Sequence, residues 1–259
     1  MRDQLGRVIS IQKRPSRIVC LVPSLTELLV DLELSDNIVG VTKFCVHPKN
    51  IREKKKIVGG TKSIHLEKIK QLKPDFILCN KEENTPEIVA SCQEIAPVYV
   101  SDINTFEDFY TFLIDLGEVF QIEKSTQNLI EQVSKRRRAF KKKVSARPVN
   151  KVAYLIWNNP VMVAGGANFI NVLLKELQFK NIFEDKKSRY PEINRIDLKD
   201  AELILLSSEP FPFTEKHISE FQQFTGAKIF CVDGEYFSWY GSRLLKAFDY
   251  FEELLAEMD

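Results

Sequence analysis

The stretch IEKSTQNLIEQVSKRRRAFKKKVSA, residues 122–146, contains neither proline nor glycine. Apolar residues recur along it at helical spacing, namely Leu129, Ile130, Val133, Phe140 and Val144. Arg137 stands where this spacing would place a further apolar residue. The pattern predicts one helix of about 25 residues, which at about 1.5 Å per residue is long enough to connect two lobes. Its basic run KRRRAFKKK is typical of a solvated helix face, and phosphate binding is the alternative.

On both sides of this helix, short β-branched runs alternate with amphipathic helical stretches. The predicted strands cover residues 17–22, 37–42, 75–80, 97–102, 151–157, 202–208 and 227–233. The predicted helices cover residues 24–34, 65–73, 85–95, 105–120, 169–179 and 242–258. This alternation predicts an α/β fold with parallel sheets. The similar stretches 66–80 and 194–208 indicate two lobes, so we predict an N-terminal α/β lobe over 1–121, a connecting helix over 122–147 and a C-terminal α/β lobe over 148–259.

The composition excludes several classes of protein. The chain has 259 residues, of which 44% are hydrophobic and 28% are charged, as in globular proteins. Its 37 basic and 36 acidic residues nearly cancel, so no overall field attracts nucleic acid. No apolar run approaches the roughly 20 residues that span a bilayer. We therefore expect no nucleic-acid partner, no transmembrane segment and a monomer.

The start of the chain and its cysteines bear on the compartment. The first residues, MRDQLGRVISIQKRPSR, lack the apolar stretch and the small-residue cleavage site of a secretory leader. Five cysteines form no CxxC pair, and Cys20, Cys79 and Cys231 lie in apolar strand-like runs, which predicts buried reduced thiols. These features predict a cytoplasmic protein. A periplasmic or membrane-tethered protein whose leader has been removed is the alternative.

Catalytic motifs are scarce in the sequence. The phosphate-loop, dinucleotide, hydrolase-elbow and zincin patterns are absent. His65 and His217 lie in polar surroundings and are expected at the surface. Cys45 and His47 alternate in FCVHP, so an extended backbone would place both side chains on one side. They are candidate metal ligands, or a nucleophile and its base in an enzyme, while local packing is the simpler interpretation.

Large rings and polar groups follow the strands of the second half. They are Trp157, Asn158, Arg189, Tyr190, Glu209, Phe211, Phe213, Tyr236, Trp239, Tyr240 and Arg243. Ligands of parallel α/β sheets bind outside the carboxyl ends of the strands. The set therefore predicts a cleft between the lobes that holds a flat or bulky ligand by stacking. An ordinary core covered by loops and a protein interface are the alternatives.

Two strings, PSLTE at 23–27 and LEKIKQLKPD at 66–75, resemble the substrate-binding components of metal-chelate ABC importers, above all cobalamin-binding proteins. The likeness continues through 151–183 and RYPEI at 189–193 and covers nearly the whole chain. It implies the helical-backbone metal receptor fold, with two Rossmann-like lobes and parallel sheets joined by one long helix. It also implies capture without catalysis of a metal chelate or corrinoid, such as cobalamin, a ferric siderophore or haem, with no intrinsic cofactor and with an ABC permease as partner.

The resemblance also implies roles for particular residues. The family's cleft aromatics fall on Phe44, Trp157, Tyr190 and Trp239, with Arg189, Arg243 and Glu209 expected to orient polar groups of the ligand. Thr61 stands where cobalamin binders have an aromatic residue. Glu67 matches the N-lobe carboxylate that docks on the permease, while the C-lobe position is Ile196.

Overall fold

The computed structural model describes residues 1–259, which form two compact units. The first unit comprises Met1–Gln132 and the short segment Tyr240–Arg243. The second comprises Val133–Trp239 and Leu244–Asp259. The chain thus returns to the first unit for four residues near its C-terminus, which the sequence patterns did not predict.

The first unit is built on a parallel five-stranded sheet with strand order β3-β2-β1-β4-β5. Its strands are β1 Ile18–Cys20, β2 Ile38–Val41, β3 Lys56–Ile57, β4 Phe76–Asn80 and β5 Val98–Ser101. Its helices are α1 Pro23–Asp31, α2 Ile51–Lys54, α3 Leu66–Gln71, α4 Pro86–Gln93 and α5 Phe106–Phe120. Strands β1, β2, β4 and β5 are buried and largely apolar without alternation because helices cover both faces of the sheet, whereas the edge strand β3 is exposed. The strands and helices predicted in this half are confirmed, and β3 and α2 are additional.

The long helix predicted after Gln121 is present as α6, Glu123–Val144. Gln121 takes the left-handed conformation that ends α5, with φ of 53°. Gly117 lets the two helices approach closely, because a β-carbon there would lie 2.6 Å from Thr126 Oγ1. The residues of α6 up to Gln132 belong to the first unit and the later ones to the second. The domain boundaries after residues 121 and 147 stay a prediction.

The second unit has a sheet with strand order β10-β9-β6-β7, and β8 also pairs with β6. Its strands are β6 Asn150–Trp157, β7 Met162–Val163, β8 Phe179–Asn181, β9 Leu203–Ser207 and β10 Lys228–Val232. Its helices are α7 Phe169–Glu176, α8 Lys216–Gln222, α9 Glu235–Ser238 and α10 Leu244–Met258, with a 3-10 helix over Arg195–Asp200. The α/β class is confirmed, with β7 as an antiparallel addition.

Acidic partners occupy much of the basic run on α6. Arg136 bonds to Asp249 of α10, and Lys143 bonds to Glu252 of the same helix. Arg137 reaches the buried Glu176 of α7 at 2.9 Å, which explains how a cation fits into the apolar spacing of α6. These pairs give no support to phosphate binding by the run. No helix in the chain combines the length and the apolar composition needed to cross a bilayer.

Candidate ligand-binding site

Phe44 is a large exposed ring at the carboxyl end of the first sheet. It follows β2 in a tight turn, where its N–H donates to Thr42 Oγ1 at 3.3 Å. Half of its surface is exposed, at 50%. Lys43 Nζ lies 5.0 Å from the ring centre, and a β-carbon on Gly60 would come within 3.1 Å of the ring edge. The ring is therefore positioned by its neighbours although it faces solvent.

Polar side chains end two neighbouring strands of the same sheet, β4 and β5. Asn80, the last residue of β4, donates from Nδ2 to both the carbonyl and the hydroxyl of Ser101 at 3.0 Å and to Tyr240 Oη at 2.6 Å. Burial raises the pKa of Tyr240 well above its ordinary value, with the nearby Glu82 as a smaller cause. Tyr240, a predicted ligand contact, is thus a buried neutral phenol held by an amide. Asn80 was not among the predicted site residues, although its position after a buried strand was the available signal.

Arg243 is bound within the first unit. Its Nε and Nη2 donate to the two carboxylate oxygens of Glu27 on α1, at 2.8 and 2.9 Å. The exposed fractions of the two side chains are only 8% and 12%. Ser242 donates to Asp31 of the same helix, and Gly241, with φ of 133°, passes close to Leu28. The segment Tyr240–Arg243 is thus bonded to α1. The guanidinium of Arg243, which was predicted to orient a ligand, instead pairs with the carboxylate of Glu27.

Trp157 is the exposed ring of the second unit. It ends β6 with 38% of its surface exposed, and its indole N–H donates to the carbonyl of Asn159 at 3.1 Å. Its ring meets that of Phe211 edge to face, with centroids 5.6 Å apart. Phe211 in turn packs on Phe213 at 4.7 Å. A chain of rings therefore supports Trp157 from the core outwards.

Asn158, the residue after Trp157, is hydrogen-bonded to the charged side chains of Glu220 and Arg195. Its Nδ2 donates to Glu220 of α8 at 3.3 Å, and Arg195 donates to its Oδ1 at 3.2 Å. Arg195 and Glu220 also pair with each other, and the guanidinium lies 5.2 Å from the centre of the Phe221 ring. These contacts fix the start of the loop after β6.

Glu209, two residues after β9, and Trp239, directly after α9, are bonded to each other. The indole N–H of Trp239 donates to Glu209 Oε1 at 2.9 Å, and Ser238 donates to the same oxygen at 2.5 Å. Trp239 is 8% exposed, in contrast to Trp157. The two tryptophans, which the sequence treats alike, therefore differ in accessibility.

Arg189 and Tyr190 lie in the loop between β8 and the 3-10 helix. The carbonyl of Arg189 accepts from Asn168 Nδ2 and from the N–H of Gly165, both at 2.8 Å. The N–H of Tyr190 donates to Ser188 Oγ at 3.3 Å. Both residues are partly exposed, so the loop presents them on a fixed backbone.

The two positions matched to permease docking are both at the surface. Glu67 on α3 has 78% of its side chain exposed and pairs with Lys70 at 2.9 Å. Ile196, in the 3-10 helix, is 61% exposed. Asp197 beside it accepts the N–H of Asn194 at 2.9 Å and so caps that helix. Glu67 alone is therefore a surface carboxylate at a matched position.

Cys45 lies in a setting that opposes thiolate chemistry. The thiol is fully buried, with Sγ 3.2 Å from Thr26 Oγ1 and 3.3 Å from Thr42 Oγ1. Burial raises its pKa, and the two hydroxyls only partly offset this effect. No group of three or more His, Cys, Asp or Glu side chains is arranged to hold a metal ion. Metal binding or nucleophilic catalysis by Cys45 and His47 therefore receives no support from the geometry.

Alkylation will test this assignment. We expect iodoacetamide at about pH 8 to label native protein at Cys231 alone, because Cys231 is exposed while the other cysteines are buried. The pKa of Cys231 is itself raised by partial burial, so its labelling should increase as the pH rises. Mass spectrometry of tryptic peptides gives the positions, and urea-unfolded protein is the control in which every thiol reacts. Rapid labelling of Cys45 in the native state would revive a catalytic or metal-binding thiol.

The predicted burial of two residues, His217 and Cys231, was wrong. His217 is 7% exposed and packs against the rings of Phe211 and Phe213, both centred 5.4 Å away, while its Nδ1 accepts the N–H of Thr214 at 3.0 Å. The residues next to His217 in the sequence are polar and did not indicate its burial, because the apolar face of α8 is only one turn long. Cys231 was expected in the core and is exposed, because it lies on β10, an edge strand of the second sheet.

Exposed rings that follow buried strands, in α/β units with no catalytic cluster, are the construction of a ligand-binding protein. The chain belongs to the periplasmic binding protein family, whose pattern it matches over residues 18–224. The resemblance carried by PSLTE and LEKIKQLKPD is thereby confirmed. Because this is a family of binding proteins, the expectation of a protein that is not an enzyme is confirmed as well.

Curated relatives agree with this family. The chain is 27% identical over 192 residues to YvrC, an uncharacterized ABC transporter substrate-binding lipoprotein of Bacillus subtilis (strain 168), which covers 71% of this chain and 60% of that protein. It therefore spans less than two thirds of the length of this relative. It is 23% identical over 203 residues to the vitamin B12-binding protein of Vibrio vulnificus (strain YJ016), which covers 77% of this chain and 74% of the relative.

Solved structures share the fold. The periplasmic vitamin B12 binding protein BtuF of Vibrio cholerae superposes with a TM-score of 0.80 at 19% identity, over 94% of this chain and 98% of that one. The periplasmic heme-binding protein BhuT, solved with two hemes, gives a TM-score of 0.77 at 16% identity, over 93% and 98%. The two-lobed architecture expected from the resemblance is the fold of these proteins.

The predicted cytoplasmic location was wrong. Membership of the periplasmic binding protein family, together with the similarity to a lipoprotein, overturns it. The error has a simple cause. The prediction rested on the first residues, and the start of a sequence does not by itself report the compartment.

Proposed function

We propose that this chain is the substrate-binding component of an ABC importer and that it binds a metal chelate or corrinoid without changing it chemically. The observation that carries the proposal is the presence of two exposed rings, Phe44 and Trp157, each at the carboxyl end of a buried strand and each supported by neighbouring side chains. Exposing a large ring to water is unfavourable by about 25 cal/mol per Å². A rigid exposed ring at a strand end therefore favours a ligand that covers it.

The remaining candidate residues divide into two groups. Arg189 and Tyr190 stay predicted ligand contacts, because their loop is partly exposed. We assign the others to holding the loops in place, because their polar atoms bond within the protein: Asn158, Glu209, Trp239, Tyr240 and Arg243. A preformed site of this kind loses little conformational freedom on binding, which favours affinity.

The ligand class follows from the relatives. The Vibrio vulnificus relative and BtuF bind vitamin B12, and BhuT binds heme, and each of these ligands is a metal chelate built on a large conjugated macrocycle. Such a ligand suits stacking on Phe44 or Trp157. The metal complex is thus cargo rather than a cofactor of the protein. The partner that receives it is an ABC permease, with the exposed Glu67 as a docking carboxylate.

Titration with a small panel tests the proposal. Haemin, cyanocobalamin and a ferric tris-catecholate siderophore should be added in turn to the purified chain while the visible spectrum of the ligand is recorded. We expect saturable binding of at least one of them at one ligand per chain. If none of the three binds saturably, the proposed function is contradicted. The urea-unfolded chain serves as the control for nonspecific adsorption.

A further inference from the structure

Charge is concentrated in one segment of the first unit. Between Lys43 and Lys62 the sequence contains seven cations and one carboxylate, Glu53, in a chain whose net charge is only +1. The cations of this basic segment are Lys43, Lys49, Arg52, Lys54, Lys55, Lys56 and Lys62. All of them except Lys55 are exposed. The rest of the chain is therefore net negative, and the basic segment is a local feature.

Part of this charge lies beside the exposed ring of Phe44. Lys43 Nζ is 5.0 Å from the ring centre. Arg52 Nη1 donates to the carbonyl of Lys43 at 3.1 Å, which brings the guanidinium from α2 to the turn that carries the ring. Lys62 follows Gly60, the residue against which Phe44 lies. Lys43 therefore lies beside the ring, and Arg52 bonds to the turn that carries the ring.

Lys43 and Arg52 pair with no carboxylate, unlike other cations of the same unit. Lys70 pairs with Glu67, and Lys81 pairs with Asp102. Lys62 of the basic segment donates to the backbone carbonyl of Glu82 in the turn after β4. Lys43 and Arg52 therefore keep positive charge available for a ligand.

An exposed ring beside uncompensated cations matches one kind of ligand. The ring stacks on a conjugated plane, while the cations bond to anionic oxygens at its edge. Such charge also attracts anions over a distance, in a manner that salt weakens. An uncharged ligand of the same size gains only the stacking.

We infer that the surface around Phe44 selects anionic chelates, whose carboxylate or catecholate oxygens meet Lys43 and Arg52, over uncharged corrinoids. The inference rests on the proposed function and narrows it to a ligand charge. The two anionic chemistries have different sources, a porphyrin with propionate groups or a catecholate siderophore. Both are included in the test.

The experiment compares ligands that differ in charge. Haemin, haemin dimethyl ester, a ferric tris-catecholate siderophore and cyanocobalamin are titrated into the wild-type chain and into Lys43→Gln and Lys43→Gln/Arg52→Gln variants. We expect haemin or the tris-catecholate to bind best, haemin to bind at least about tenfold more tightly than its ester, and the double variant to lose about tenfold of the anionic affinity. The single variant should lose less, and added salt should weaken wild-type binding more than that of the double variant.

The control variant is Lys13→Gln/Arg14→Gln, which removes the same two charge types from exposed positions before β1, at the opposite end of the sheet. We expect it to bind as the wild type does. Because Lys43 is exposed and its ammonium lies over an exposed ring, we expect Lys43→Gln to keep the fold, so it remains informative if the double variant unfolds.

Three results would overturn the inference. If cyanocobalamin binds at least as tightly as the anionic ligands, selection for charge is wrong while the proposed function stands. If an anionic ligand binds equally to the wild type and to both Lys43 variants, the cations do not contact it, and again the proposed function stands. If no ligand of the panel binds, both the inference and the proposed function fail.

Discussion

Replacing Glu27 by alanine is expected to lower the free energy of unfolding by about 3 to 5 kcal/mol, because it removes the carboxylate that balances the charge of the buried Arg243 guanidinium. The pair is almost fully shielded from water, with exposed fractions of 8% and 12%. Both hydrogen bonds between the side chains are short, at 2.8 and 2.9 Å. Urea unfolding followed by circular dichroism measures the change.

Two further variants make this measurement specific. Glu67→Ala removes a carboxylate from an exposed pair on α3 and should cost less than about 1 kcal/mol, because water already screens that pair. Glu27→Leu/Arg243→Leu removes both charges and should recover much of the stability lost in Glu27→Ala, since no buried charge remains. A loss below about 1 kcal/mol in Glu27→Ala would mean that Arg243 is solvated and free to meet a ligand.

Truncating either exposed ring should weaken ligand binding strongly and leave folding nearly intact. Phe44→Ala and Trp157→Ala, tested separately, are each expected to lower affinity by roughly ten- to a hundredfold, as buried aromatic contacts do in complexes. Because these rings are 50% and 38% exposed in the free protein, each variant should lose about 1 to 3 kcal/mol of stability, less than a fully buried ring loses, and stay folded. Visible absorbance of the ligand measures binding without relying on tryptophan emission.

Two control variants distinguish a ring that contacts the ligand from a ring that only stabilises the fold. Ile114→Ala removes an apolar side chain that is 57% exposed on α5 and should change neither affinity nor stability. Trp239→Ala should lower both, because its indole is buried and donates to Glu209. If Phe44→Ala and Trp157→Ala bind like the wild type, then these rings do not meet the ligand.

Much of the fold could be predicted from local patterns. Strands such as Phe76–Asn80 are continuous apolar runs because both faces of the sheet are covered, and α6 lacks any helix breaker over its whole length. The two-residue strands β3 and β7 could not be predicted, because two residues carry no periodicity. The prediction of the α/β class required only the alternation of strands and helices, so it was correct although β3 and β7 were missed.

The candidate site was less predictable, because it depends on contacts between distant residues. The sequence marked Trp157 and Trp239 as equivalent rings after strands, yet only the fold shows that one is exposed and the other is bonded to Glu209. Arg243 was chosen for its charge. Its partner Glu27 is 216 positions away, a separation at which sequence patterns carry no information. Lys43 and Arg52 were overlooked because a basic run usually indicates only a solvated surface.

Recovery of the bound ligand tests whether the chain binds a chelate without changing it chemically. The chain is saturated with the chelate that binds best in the titration, freed of excess by gel filtration and then unfolded, and both protein and released ligand are quantified by mass spectrometry. We expect one ligand per chain, and the released ligand should have the same mass as the ligand that was added. A ligand returned with its metal lost or its ring altered would contradict capture without chemistry, as would a stoichiometry far below one.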